Sequence, residues 1–195
     1  VDRLVRNDRI AFGASMVACK DADAMVTGNI RHYAASVESL KQVCNARPGE
    51  TIFGMTMIVF KGRTILVADT NVQDFPSPER LVAVSKSCVR ISKLFGFEPK
   101  VAFLSHSTFG KPISRNTKHV REAIDLLRKE KVEFDFDGEM QPDVALNPVY
   151  QEIYPFSKIV GKANILIMPA LHSAAISTKL MKSFGGAKLI GPLLI

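Results

Sequence analysis

Residues Phe103–Pro112 read "FLSHSTFGKP", and the fold turns on how this stretch is taken. It continues the apolar run that begins at Val101, then places three hydroxyls and a histidine in four consecutive positions (Ser105, His106, Ser107, Thr108) before Gly110. A buried strand running into a polar, glycine-ended loop is the way an α/β protein presents a site at the carboxyl end of a sheet.

The same alternation extends outward in both directions. Apolar strands are expected at Ile52–Phe60, Thr64–Asp69, Lys100–Ser105, Val132–Asp137 and Ala163–Met168, with another beginning in "AKLIGPLLI" at Ala187. Between them lie amphipathic helices. Ser77, Pro78 and Glu79 combine a capping hydroxyl, a proline at the first helical position and an acid at the positive end of the dipole. Leu81, Val84, Cys88, Ile91 and Leu94 or Phe95 follow at helical spacing, and Gly96 supplies the stop. Further helices are expected at about 116–131 and 172–184. The pattern predicts an α/β architecture with a largely parallel sheet and flanking helices. The "KGR" between the first two strands is short enough for a hairpin. Residues before Ala46 contain helix but no complete βαβ unit, and the chain stops inside an apolar run at Ile195, so a fragment of a larger fold is expected.

Bulk composition narrows the function classes. No apolar run approaches the length of a membrane span, which argues against a membrane protein. Three cysteines, Cys19, Cys44 and Cys88, form an odd set without C-x-x-C spacing, which favours reduced thiols in a cytoplasmic protein. Cys88 falls on the apolar face of its helix and reads as a core thiol. The net charge of +7 is spread along the chain rather than clustered with aromatics, so it does not mark a nucleic-acid surface. A phosphate-bearing small ligand or an acidic partner explains the excess at least as well, and a solvated surface accounts for most of these charges.

Three strand ends collect polar groups: Asp69, Thr70 and Asn71; Ser105 to Thr108; and His172 with Ser173. Helix starts behind them offer backbone amides to an anion. His106 and Ser107 do not make a base and nucleophile by adjacency, because neighbouring side chains on an extended segment point in opposite directions. His172 at a helix start reads as a hydrogen-bonding residue rather than a base. No cluster of His, Cys and carboxylate suits a metal, no G-x-G-x-x-G follows a strand, and no P-loop is present. From the residues alone the chain is an α/β protein with a polar, anion-compatible cleft.

Six motifs in order carry a resemblance: "DADAMVTGN" (Asp21–Asn29), "ILVADTNV" (Ile65–Val72), "FEPKVAFLSHSTFG" (Phe97–Gly110), "DFDGEMQPDVALNP" (Asp135–Pro148), "GKANILIMPAL" (Gly161–Leu171) and "GGAKLIGPLL" (Gly185–Leu194). Together they resemble the phosphate acetyl/butyryltransferase family over nearly the whole chain. The resemblance implies a two-domain α/β fold of the isocitrate/isopropylmalate dehydrogenase-like type. Residues 1–60 would form part of the first domain, and 61–195 the inserted second domain with the start of the return. It also implies acyl transfer between coenzyme A and phosphate, in a cleft between domains. The family's closing segment, with an L-S-R-G stretch and a downstream catalytic Asp, would fall after Ile195.

Several positions depart from the family pattern. Its G-A-x-H-S-T histidine falls on Arg31, and the arginine of its L-R-P stretch on Glu38. The cysteine of F-A-D-C-A-V-N is Thr70 and the asparagine Gln73. The lysine of L-S-F-S-T-K-G is Phe109, and the aspartate of P-D-L is Ala170. A charge-placing active site depends on such groups.

The same departures resemble the phosphotransacetylase-like domain fused to the C-terminal side of bacterial NADP-dependent malic enzymes. That resemblance implies a regulatory and assembly role without confident catalytic residues, with acetyl-CoA as an inhibitory effector. The partners implied are further copies in a homo-oligomer and an N-terminal malic enzyme domain of the same chain. NADP and a divalent metal would belong to that other domain. On this reading "LSHSTFG" is a binding loop. Ser107, Thr108 and Gly110 are its polar and close-approach positions, and Phe109 packs on a ligand or on a neighbouring domain. Arg31, Tyr33, Thr70 and His172 complete the ligand-binding candidates. An active phosphate acyltransferase, and a purely structural module that keeps the fold for dimerisation and binds nothing, are the alternatives that the resemblance leaves open.

Overall fold

The computed structural model describes residues 2–28, 31–46, 51–68, 74–112 and 117–195. They group into two compact units, Val1–Gly49 and Glu50–Ile195.

The first unit is helical, with α1 (Asp2–Asn7), α2 (Arg9–Ala18) and α3 (Tyr33–Lys41). Asp8 starts α2 as its cap. Its Oδ1 accepts the amides of Ile10 at 2.8 Å and Ala11 at 3.2 Å, which satisfies donors that the first turn leaves without intrahelical partners. Its Oδ2 accepts from Arg31 Nη1 at 2.6 Å and from Ser39 Oγ at 3.1 Å, so one carboxylate ties α2 to the α3 segment.

The second unit is built on a six-stranded mixed sheet in the order β4-β3-β5-β2-β1-β6. The strands are β1 (Gly54–Phe60), β2 (Arg63–Ala68), β3 (Lys100–Leu104), β4 (Asp135–Met140), β5 (Ile165–Ile167) and β6 (Lys188–Leu194). β4, β3, β5 and β2 run parallel, whereas β1 pairs antiparallel with both β2 and β6. The expected hairpin is present: Phe60 faces Arg63, and both residues between them, Lys61 and Gly62, have positive φ (47° and 73°). Two left-handed residues make the turn whose twist matches the strands it joins.

Alternation along the strands divides the core into two layers. Leu66, Ala68, Val101, Phe103, Ile165 and Ile167 face α4 (Pro78–Leu94) and α5 (Lys118–Glu130). Val67, Ala102, Leu104 and Leu166 face α6 (Pro142–Leu146) and α8 (Leu171–Ser183). A short α7 (Pro148–Gln151) follows α6. Parallel strands buried on both faces account for the unbroken apolar runs of "VAFL" and "ILI".

Helix α4 begins as its residues predict, with Ser77 Oγ accepting the Arg80 amide at 3.3 Å. Leu81, Val84 and Ile91 are buried and Cys88 is fully so, which makes it a core thiol; Leu94 and Phe95, expected on the same face, are exposed. The last turn runs past the edge of the packed face.

β4 differs most from expectation: it covers Asp135–Met140 rather than Val132–Asp137. Its place is set by pairing with β3, where Lys100 faces Asp135 and Phe103 faces Gly138. That register carries a glycine and a glutamate into the interior, which the apolar alternation of "VEFDFD" does not disclose.

Candidate ligand-binding site

The connections locate a topological switch point. From β3 the chain passes through α5, in one layer, to β4 on one side; from β5 it passes through α8, in the other layer, to β6 on the opposite side. β3 and β5 are neighbours. Between two adjacent parallel strands whose following helices leave to opposite faces, the carboxyl-end loops part and leave room for a ligand. The loops at that point are Ser105–Gly110 after β3 and Met168–His172 after β5.

The β3 loop is held from beneath by the end of β4. Ser105 donates its amide to the Met140 carbonyl at 3.0 Å, and the Phe109 amide reaches the Glu139 carbonyl at 2.8 Å. The Gln141 amide donates to Thr108 Oγ1 at 3.1 Å, while its side-chain Nε2 donates to the His106 carbonyl at 2.8 Å. At the centre lies the buried Glu139 carboxylate. Its Oε1 accepts from Ser107 Oγ at 2.9 Å and the Gly110 amide at 3.0 Å, and Arg121 Nη1 stands 3.5 Å away. Ser105 Oγ lies 3.2 Å from Ser107 Oγ and extends the network.

The β5 loop is fastened to its neighbours through its backbone. Met168 donates its amide to the Ala68 carbonyl at 2.6 Å, and Leu171 to the Asp74 carbonyl at 3.2 Å. His119 Nε2, from the first turn of α5, lies 3.0 Å from the Pro169 carbonyl. A carbonyl only accepts, so the proton sits on Nε2 and His119 is the donor. Ala170 occupies the cap position of α8 with no side-chain hydrogen bond to the helix amides.

Of the sequence candidates, Ser107, Thr108, Phe109 and Gly110 lie together in the β3 loop, and His172 sits one strand away, exposed in the first turn of α8 with its ring 5.7 Å from that of Phe75. Ser107 is fully buried, whereas its neighbour His106 is exposed. The two side chains do not form a catalytic pair. Thr108 is buried as well. Phe109 has φ 47°, and its ring packs on Tyr154 (5.3 Å) and Phe156 (4.9 Å) of its own unit. Arg31 and Tyr33 belong to the helical unit, where Arg31 is paired with Asp8 and Tyr33 opens α3. The Arg31 guanidinium is the main reason that the Asp8 carboxyl is lowered to about 2; burial opposes it, and the amides of Ala11 and Ile10 and the Ser39 hydroxyl each lower it further. Thr70 lies outside the described residues. Among the described residues no three His, Cys, Asp or Glu side chains gather as metal ligands, and no helix is long and apolar enough to cross a membrane.

Glu139, Arg121, His119 and Gln141 were not found by sequence reasoning. "DGEM" shows an acid after a strand-like run, but its partners lie 18 to 32 residues away along the chain. Nothing local discloses a buried carboxylate.

A mixed α/β sheet with a topological switch point between two parallel strands is a class of fold in which ligands bind outside the strands' carboxyl ends. Within it, the chain belongs to the phosphate acetyl/butaryl transferase family, which it matches over residues 1–195. It is 46% identical over its whole length to an NADP-dependent malic enzyme of Rhizobium meliloti (strain 1021), of which it covers 26%. It is 30% identical to a phosphate acetyltransferase of Bacillus subtilis (strain 168), covering 96% of this chain and 58% of that one. A solved phosphotransacetylase from Streptococcus pyogenes superposes with a TM-score of 0.86 at 30% identity, over 94% of this chain and 57% of that one. The chain thus spans about a quarter of the length of the curated malic enzymes it matches.

Proposed function

We propose that this chain is a regulatory and assembly module of a longer cytoplasmic NADP-dependent malic enzyme, and that it binds acetyl-CoA as an inhibitory effector. The observation that carries the reading is its 46% identity, over its full length, to about a quarter of such an enzyme. The site favours binding over turnover. The Ser107 hydroxyl is buried and committed to Glu139, and Phe109, where the family has a lysine, carries no charge and packs on an aromatic pair. Arg31, the one cation among the candidates, is already neutralised by Asp8.

On this proposal the partners are an N-terminal malic enzyme domain of the same chain and further copies in at least a dimer. Oxidation of malate to pyruvate, with NADP and a divalent metal, belongs to the other domain. The division into a partial first domain up to about Phe60 and an inserted second domain is part of the same proposal. Active phosphate acyl transfer is the competing reading, supported by 30% identity to a phosphate acetyltransferase.

The test is malate oxidation by the complete protein with NADP, titrated with acetyl-CoA, with and without this region. Saturable inhibition that disappears on deletion is the expected result. Oxidation indifferent to acetyl-CoA overturns the effector reading, and phosphate-dependent release of acetyl phosphate from acetyl-CoA establishes the competing one.

A further inference from the structure

Glu139 is the most heavily engaged buried ionisable group at the switch point, and nothing in the proposed binding chemistry accounts for it. It is 1% exposed. All three donors approach a single oxygen: the Ser107 hydroxyl, the Gly110 amide and the Arg121 guanidinium converge on Oε1. Oε2 is buried and has no partner among the described residues. A buried carboxylate is retained only where its hydrogen bonds and ionic partners offset lost hydration, and these three contacts supply that offset. They also come from different elements. Ser107 and Gly110 belong to the β3 loop, Arg121 to the first turn of α5, and Glu139 itself to β4.

We propose that Glu139 is the positioning residue of the β3 loop, and that its carboxylate couples the conformation of Ser107–Gly110 to helix α5 through Arg121. A ligand that moves Ser107 or the Gly110 amide changes the donor set on Oε1. Arg121, only partly buried and 3.5 Å from Oε1, is the member through which the change reaches the helix. The displacement is passed to α5, whose packed face lies in the core layer shared with α4. This mechanism rests on the effector reading for its ligand, but the coupling itself does not require acetyl-CoA.

The experiment is amide hydrogen exchange of the complete protein, followed in segments 105–111 and 118–130, together with acetyl-CoA titration. Glu139→Gln keeps the shape, removes the charge and places an amide NH2 where one oxygen has no partner. In the ligand-free protein it is expected to speed exchange in 105–111 and at the start of α5. Affinity for acetyl-CoA should fall by about tenfold or more, the scale of a lost charged hydrogen bond. Arg121→Gln should leave 105–111 nearly as protected as in the wild type, yet abolish the response of α5 to acetyl-CoA. A purely structural carboxylate would not separate the two segments in this way.

Wild-type exchange in both segments of Glu139→Gln overturns the proposal. So does an α5 response that survives Arg121→Gln. If Glu139→Gln does not fold, Ser107→Ala probes the same link from the loop side, with the same expected and overturning results. Should the wild-type protein bind no acetyl-CoA, the effector reading falls, and ligand-free exchange alone decides the coupling.

Discussion

Asp8 and Gly138 show how much single residues decide. Asp8 caps α2 and holds Arg31, and its carboxyl is lowered from 3.8 to about 2. Since the folded value lies below the ordinary one, the stabilisation is complete above about pH 4. It is lost as pH falls from 3.8 through about 2. Arg31→Ala should raise the Asp8 carboxyl toward its ordinary value in a carboxyl NMR titration; an unchanged titration would show that Arg31 is not its principal partner. Gly138 has φ 146°, and a Cβ there would stand 2.6 Å from the Phe103 carbonyl oxygen and 3.3 Å from Ile124 Cδ1. Gly138→Ala combines a backbone conformation that L residues rarely adopt with overpacking, and should destabilise the second unit by roughly 3 kcal/mol. A urea midpoint within experimental scatter of the wild type would contradict this.

Among the elements, α4 and α8 contrast in how they start. Ser77 caps α4 through the Arg80 amide; the backbone amide of Glu79, aided by the Ser77 hydroxyl, lowers the Glu79 carboxyl. Ser77→Ala should destabilise by about 1 kcal/mol, measured by thermal unfolding. Helix α8 has no side-chain cap at Ala170. Ala170→Ser should stabilise by roughly 0.5–1 kcal/mol if its hydroxyl reaches the amide of His172 or Ser173; a loss of stability would mean that the buried site has no room for it. Strand β4 is the element at which sequence reasoning failed. The alternating "VEFDFD" reads as strand by its side chains, yet Val132 and Phe134 precede the paired segment. The ladder with β3 outweighs local pattern because each in-register residue adds backbone hydrogen bonds that are unavailable outside it.

In the whole molecule, two core layers share the strands of one sheet, so a defect in a central strand reaches both. Phe103 is fully buried on β3, between β4 and β5. Phe103→Ala should destabilise the second unit by about 3–5 kcal/mol. Urea unfolding followed by circular dichroism should keep a single transition, shifted to lower denaturant. Two separate transitions would mean that the layers unfold independently.

The residues alone determined the α/β class, the β1–β2 hairpin, the start of α4 and the placement of Ser107 to Gly110 in a strand-end loop. Each of these depends on spacing or on groups a few positions apart, such as Ser77 with Arg80 or Lys61 with Gly62. The order of motifs further identified the family. Only the tertiary structure decided that β6 returns antiparallel beside β1, that β4 extends to Met140, that Arg31 is held by Asp8, and that Phe109 packs on Tyr154 and Phe156. It alone placed Glu139 beneath the loop. Hydrogen-bond and ion-pair partners far apart in the chain are chosen by strand order and register, and a carboxylate reads as a surface residue until folding brings three donors to it.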